Sequence, residues 1–125
     1  MEDAEIENWA ESYIRYYDVS SDRNGEESDY WAVELFMTSE VEVSESHWKV
    51  INLIVNKSTE QSVIGNLAAG PLEDLIHYHG KQFIDRIETE ARKNPLFRHL
   101  LGGVWNSGPS ELWSRIEKAR NYNSW

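Results

Sequence analysis

Helix-stopping signals recur along the second half of this chain at intervals that leave room only for short helices. Gly70-Pro71, Gly80, Asn94-Pro95, Gly102-Gly103 and Gly108-Pro109 divide it. Proline removes a backbone donor and disfavours helical geometry in the residue before it, and glycine supplies the left-handed stop. Between these points the apolar residues recur at three- and four-residue steps, which gathers them on one face of a helix. Val63, Ile64, Leu67 and Ala68 form one such face, and Ser58 with Gln61 three residues on matches a capping box for that helix. Leu72, Leu75 and Ile76 form the next, with Pro71 at a first helical position and Glu73 and Asp74 where the helix dipole favours anions. Phe83, Ile84, Ile87 and Ala91 follow, then Leu96, Phe97, Leu100 and Leu101, and finally Leu112, Trp113, Ile116 and Ala119.

The first half obeys the same rule with weaker punctuation. Ile6, Trp9, Ala10, Tyr13, Ile14 and Tyr17 predict a helix over about 4–17, ending in a polar loop, Asp18 to Glu27, that contains Asn24-Gly25. Ser28 or Asp29 can cap a segment, residues 30–37, that is apolar on all sides except at Glu34 and so reads as a deeply buried helix. A strand competes there because Val41-Glu42-Val43 alternates, but the caps and the lack of a partner strand favour helix. Glu34 would then need a partner such as Arg86 or Arg98. A further helix is expected over about 46–56, carrying Trp48, Ile51, Ile54 and Val55. The expectation is an all-α fold, a compact bundle or short stack of six to eight short antiparallel helices in one domain, 1–125. Residues 1–27 hold helix 1 and its acidic loop, 28–120 the helical core, and 121–125 a loose tail.

The pattern Gly70-Pro71-Leu72-Glu73-Asp74-Leu75, His79-Gly80, Phe83-Ile84-Asp85-Arg86-Ile87-Glu88, Asn94-Pro95-Leu96-Phe97-Arg98 and Gly103-Val104-Trp105 resembles a bacterial helical domain family of unknown function. The resemblance covers about residues 28–116, with Tyr30-Trp31 and Trp48 where that family also carries aromatics. It implies a helical bacterial protein and brings no established activity or catalytic residue. Helix 1 and its loop lie largely outside it.

Charge is distributed unevenly. Residues 1–60 hold 15 Asp or Glu against 4 Lys or Arg, a net −11, and the remainder hold 7 against 8, a net +1. Such a surface repels nucleic acid and anionic lipid and attracts cationic partners. The plain alternative is that the acidity only keeps a chain with six Trp and six Tyr soluble. The absence of cysteine excludes disulfides, thiolate nucleophiles and Cys-ligated metals, and with an acidic first segment and no apolar run of roughly 18 residues it favours a cytoplasmic location.

Chemistry-bearing motifs are sparse. Glu73 and His77 are four apart and share a helical face, with His79 beside them, as for a pair of metal ligands or a carboxylate-oriented base. Each has an ordinary structural role, however: acids at a helix start, imidazoles at a helix end. No nucleophile or phosphate-loop motif is present, and no cofactor is implied. The leading reading is a non-enzymatic module, most concretely an immunity or inhibitor protein, whose acidic face binds a basic partner such as a toxin through Glu26, Glu27, Asp29, Glu40, Glu42 and Glu45 with Trp9 as an aromatic anchor. Trp31, Trp48, Trp105 and Trp113 are expected in the core. The alternatives are a small enzyme or metal-dependent protein centred on Glu73, His77 and His79, and a structural scaffold or oligomer subunit.

Overall fold

The computed structural model describes residues 1–106 and 108–125. Ser107, part of the expected 106–109 loop, lies outside the described residues. The helices are α1 (Asp3–Tyr17), α2 (Trp31–Glu34), α3 (Val41–Lys57), α4 (Gln61–Leu67), α5 (Glu73–Lys93), α6 (Pro95–Leu101) and α7 (Ser110–Ala119). Short 3-10 turns, Glu27–Asp29 and Leu35–Met37, flank α2, and the fold is all-α, with no strand among the described residues. None of the described helices is long and apolar enough to cross a membrane.

α1 packs along α3, α3 along α5 and α6, and α5 along α7, enclosing one continuous apolar core. Its largest fully enclosed side chains include Tyr13, Phe83, Phe97, Ile51 and Leu67, drawn from α1, α5, α6, α3 and α4. The periodic faces read from the sequence supply most of this core; Leu96 is a departure, standing exposed at the start of α6.

Several expected helix ends are displaced. Gly70-Pro71 does not break the chain: α4 runs through one π turn, Ala68–Leu72, into α5. Pro71 has no N–H to give and its ring crowds the carbonyl four residues earlier, and a widened turn relieves both conflicts. Gly80 is likewise no stop. α5 bends at His79 (φ −134°, ψ 23°) and continues to Lys93. Gly80 is buried against α7, where a Cβ would overlap the Leu112 side chain. Its smallness serves a helix crossing rather than a left-handed turn. The capping box at Ser58 does not form either, since Ser58 Oγ accepts from the Glu60 N–H at 3.3 Å instead.

Asn94-Pro95 acts as expected. Asn94 Oδ1 accepts from the Leu96 N–H at 3.1 Å with Pro95 in the first turn of α6. The tail is not loose. Trp125 donates its backbone N–H to the Gly102 carbonyl at 3.0 Å and its indole N–H to the His99 carbonyl at 2.9 Å. Asn121 and Tyr122, both at positive φ (54° and 58°), turn the chain back to that seat.

Candidate protein-interaction surface

The segment expected to be a deeply buried helix is buried on one side only. α2 is only one turn long and passes into the tighter 3-10 turn Leu35–Met37. With three residues per turn instead of 3.6, successive side chains fall in different directions from those of an α-helix. Ala32, Val33 and Phe36 point inward, and Glu34, Leu35 and Met37 point to solvent. Glu34 therefore needs no internal partner, and the arginines considered for it are engaged elsewhere: Arg86 with Glu45, Arg98 with the Ala91 carbonyl. Val41-Glu42-Val43 forms the first turn of α3, five residues earlier than its expected start, and Val41 and Glu42 are exposed.

The result is a ridge, residues 34–42, on which Leu35, Met37 and Val41 are 38%, 64% and 49% exposed among the exposed carboxylates Glu34, Glu40 and Glu42. It is fixed from beneath. Phe36 is anchored against Trp9, Tyr13 and His47, with ring centroids 4.8, 5.4 and 5.3 Å away. His47 on α3 donates Nε2–H to the Leu35 carbonyl at 3.2 Å, and His79 at the bend of α5 donates Nε2–H to the Ser39 carbonyl at 2.7 Å. A carbonyl only accepts, so both imidazoles carry a proton on Nε2. Burial holds the His47 pKa below the ordinary histidine value, and the nearby His79 acts in the same direction.

Met37 stands between two clefts. One, of about 230 Å³, includes Tyr13, Tyr17, Gly70 and Pro71; the other, of about 110 Å³, includes Ser39, His47, Tyr78 and His79. Asp74 lines both. Asp74 is exposed, and partial desolvation raises its carboxyl pKa, with His77 opposing.

The residues expected to bind a partner are scattered by the fold. Trp9 is 2% exposed and its indole N–H donates to the Ala32 carbonyl at 2.8 Å, so it cannot touch a partner: it faces α2 from the apolar side of α1. Asp29 is 2% exposed and neither caps α2 nor faces solvent, because its two oxygens accept from Arg15 at 3.0 and 3.3 Å. Glu26 pairs with Arg23 and Glu45 with Arg86. Glu27, Glu40 and Glu42 are exposed and enter none of the ion pairs among the described residues. Trp105, expected in the core, is 78% exposed, and Trp31 and Trp48 are half-buried.

Glu73 and His77 lie close enough to interact, and His79 is engaged elsewhere. His79 is spent on Ser39, His77 lies edge-on to the Tyr78 ring with centroids 4.7 Å apart, and the Glu73 carboxyl is raised by burial and by Asp74, with His77 opposing. Among the described residues no three His, Asp or Glu converge as metal ligands would. Sequence reasoning missed the outward turn of Leu35 and Met37 and the role of His47. Glu34 amid the apolar run, followed by Thr38-Ser39-Glu40, was the available signal for the first; a lone histidine inside an apolar stripe carried none for the second.

Residues 19–124 match a family of unknown function, DUF6869, and the chain belongs to that family. The match is wider than the 28–116 span of the sequence pattern, beginning in the loop after α1 and reaching the C-terminal segment. No curated protein and no solved structure matches the chain.

Proposed function

We propose that this member of DUF6869 is a protein-binding module whose ridge, residues 34–42, docks a basic protein, in the manner of an immunity or inhibitor protein that neutralises a toxin by covering it. The observation that carries the reading is the row of exposed Leu35, Met37 and Val41 set among Glu34, Glu40 and Glu42. Large apolar side chains surrounded by charge are the composition of an interface core and its rim. The carboxylates would speed encounter with a cationic surface, an effect that fades once salt shortens the screening distance to about 8 Å. The apolar side chains would then slow dissociation, with Lys or Arg side chains of the partner entering the clefts beside Asp74.

The surface also argues against self-association through this face, since two copies would bring like-charged ridges together.

The test is capture from source-cell lysate by the whole chain and three variants. Charge reversal at Glu26, Glu27 and Asp29 is unsuitable because Asp29 is buried in an ion pair. The informative variants are Glu40→Lys with Glu42→Lys, Met37→Ser, and Asp22→Lys as an exposed acidic control. The expected result is one basic protein held at low salt by wild type and Asp22→Lys and lost by the two ridge variants. Capture of no basic protein, or equal loss with Asp22→Lys, sinks the proposal.

A further inference from the structure

We infer that the clefts between α6, α7 and the C-terminal segment bind a small oxyanion, a carboxylate or phosphate, carried on a flat ring. The starting observation is Arg120. It is 7% exposed, and its guanidinium meets no carboxylate among the described residues. Nη1–H donates to the Val104 and Leu101 carbonyls at 3.0 and 3.5 Å, the guanidinium carbon lies 5.0 Å from the Trp113 ring centre, and Nε–H has neither solvent nor a hydrogen-bond partner. Carbonyl dipoles and an aromatic face offset part of a buried charge. They do not replace a counter-ion, and a buried cation without one favours the arrival of an anion. Four other guanidinium groups do find carboxylates: Arg15 with Asp29, Arg23 with Glu26, Arg86 with Glu45, Arg115 with Asp85 and Glu88.

Two clefts open beside this group, one of about 370 Å³ and one of about 490 Å³, sharing Gly102, Arg120, Ser124 and Trp125. Both volumes are within the range of small-ligand sites. The first is lined by Arg98 and His99 as well, and no carboxylate side chain is among its described lining residues. In a chain of net charge −10, two guanidinium groups lining one cleft with no carboxylate side chain beside them are unusual. Arg98 is half-buried and, like Arg120, donates only to a carbonyl, that of Ala91. The second cleft presents Trp105 and Trp125, 78% and 51% exposed, as flat apolar surfaces. The one carboxylate side chain among its described lining residues, Glu117, already accepts from the Trp113 indole N–H at 3.0 Å. Guanidinium groups fit carboxylate and phosphate oxygens through paired donors, and exposed indoles fit the face of a ring.

The experiment titrates the whole chain with benzoate, phenyl phosphate and inorganic phosphate, reading tryptophan fluorescence and the thermal midpoint. A saturable fluorescence change with a rise in midpoint is expected for at least one ring-bearing anion, with inorganic phosphate weaker. Benzoate against phenyl phosphate distinguishes the two oxyanions. Arg120→Lys and Arg98→Gln should each weaken binding about tenfold or more, as loss of a charge-assisted hydrogen bond does. Trp105→Ala should narrow the gap between the ring-bearing anion and inorganic phosphate. No saturable response to any probe up to about 10 mM, or unchanged binding by Arg98→Gln, overturns the site. Equal binding of phenyl phosphate and inorganic phosphate overturns its ring-binding half. Should Arg120→Lys fail to fold, Arg98→Gln, at the less buried of the two arginines, decides alone.

Discussion

Replacing Trp9 by Phe tests whether this side chain belongs to the interior or to an interface. In the structure the indole is 2% exposed, faces Phe36 at 4.8 Å and His47 at 5.7 Å, and donates to the Ala32 carbonyl. Phenylalanine keeps the six-membered ring but removes about 40 Å² of enclosed surface, costing about 1 kcal/mol at the usual coefficient. It also removes the donor held by a buried carbonyl, which costs about 1–3 kcal/mol more. The expected loss is about 2–4 kcal/mol, a large share of the stability of a domain this size. Urea unfolding followed by far-UV circular dichroism reads it without relying on tryptophan emission, as a midpoint lowered by about 1–2 M with unchanged slope. Trp105→Phe, at an exposed indole, should change stability by less than about 0.5 kcal/mol. A loss below about 0.5 kcal/mol for Trp9→Phe, or equal losses for the two, would refute the placement of Trp9 as the pin between α1 and α2.

Two further outcomes follow from the packing. Burial depresses the His47 pKa below 6.5, so the neutral imidazole contributes stability that is present above pH 6.5 and lost as pH falls through the folded-state value. The thermal midpoint should therefore drop between pH 7 and 5, and drop less in His47→Gln; the raised carboxyls of Glu73 and Asp74 act in the opposite sense but are common to both proteins, so identical slopes would refute the assignment. Gly103→Ala would place a Cβ 2.6 Å from the Trp125 ring, unseating the indole. Acrylamide quenching of tryptophan should increase with little change in urea midpoint, and unaltered quenching would mean that Trp125 does not sit there.

The helical faces were legible because period and position agree. Phe83, Ile84, Ile87 and Ala91 lie three or four apart and all are buried. Asn94-Pro95 was legible for the same local reason, since both the cap and the first-turn proline act within two residues of themselves. Gly80 and Gly103 were not, because the atoms that require their smallness belong to Leu112 and Trp125, remote in sequence. Pro71 was read as a start because the commonest helical use of proline is at a first turn; a π turn solves the same steric problem without ending the helix. The ridge was misread for a subtler reason. Apolar content predicts burial only when the helical repeat is known, and a change of pitch after Glu34 reassigns Leu35 and Met37 to the outside. Trp9 and Asp29 failed as partner residues because exposure was inferred from residue type, whereas the Ala32 carbonyl is 23 positions from Trp9 and Arg15 is 14 from Asp29.

Internal pairing resolves the N-terminal acidity into something narrower than a face. Arg15, Arg23, Lys57 and Arg86 reach Asp29, Glu26, Glu7 with Glu11, and Glu45, so the chain's own cations neutralise carboxylates on α1, in the loop and on α3. Those left without an ion pair among the described residues include the three on the ridge, where three large apolar side chains are also exposed. Net charge alone would have made every acidic residue an equal candidate; pairing and exposure shorten the list, and the exposed Leu35, Met37 and Val41 beside them single out Glu34, Glu40 and Glu42. The clefts beside Arg120 are built from α6, α7 and the C-terminal segment, and none of the ridge residues 34–42 lines either of them. Charge changes on the ridge should therefore leave oxyanion binding at Arg120 unaltered at physiological salt, where screening acts over about 8 Å, and the two surfaces can be tested independently.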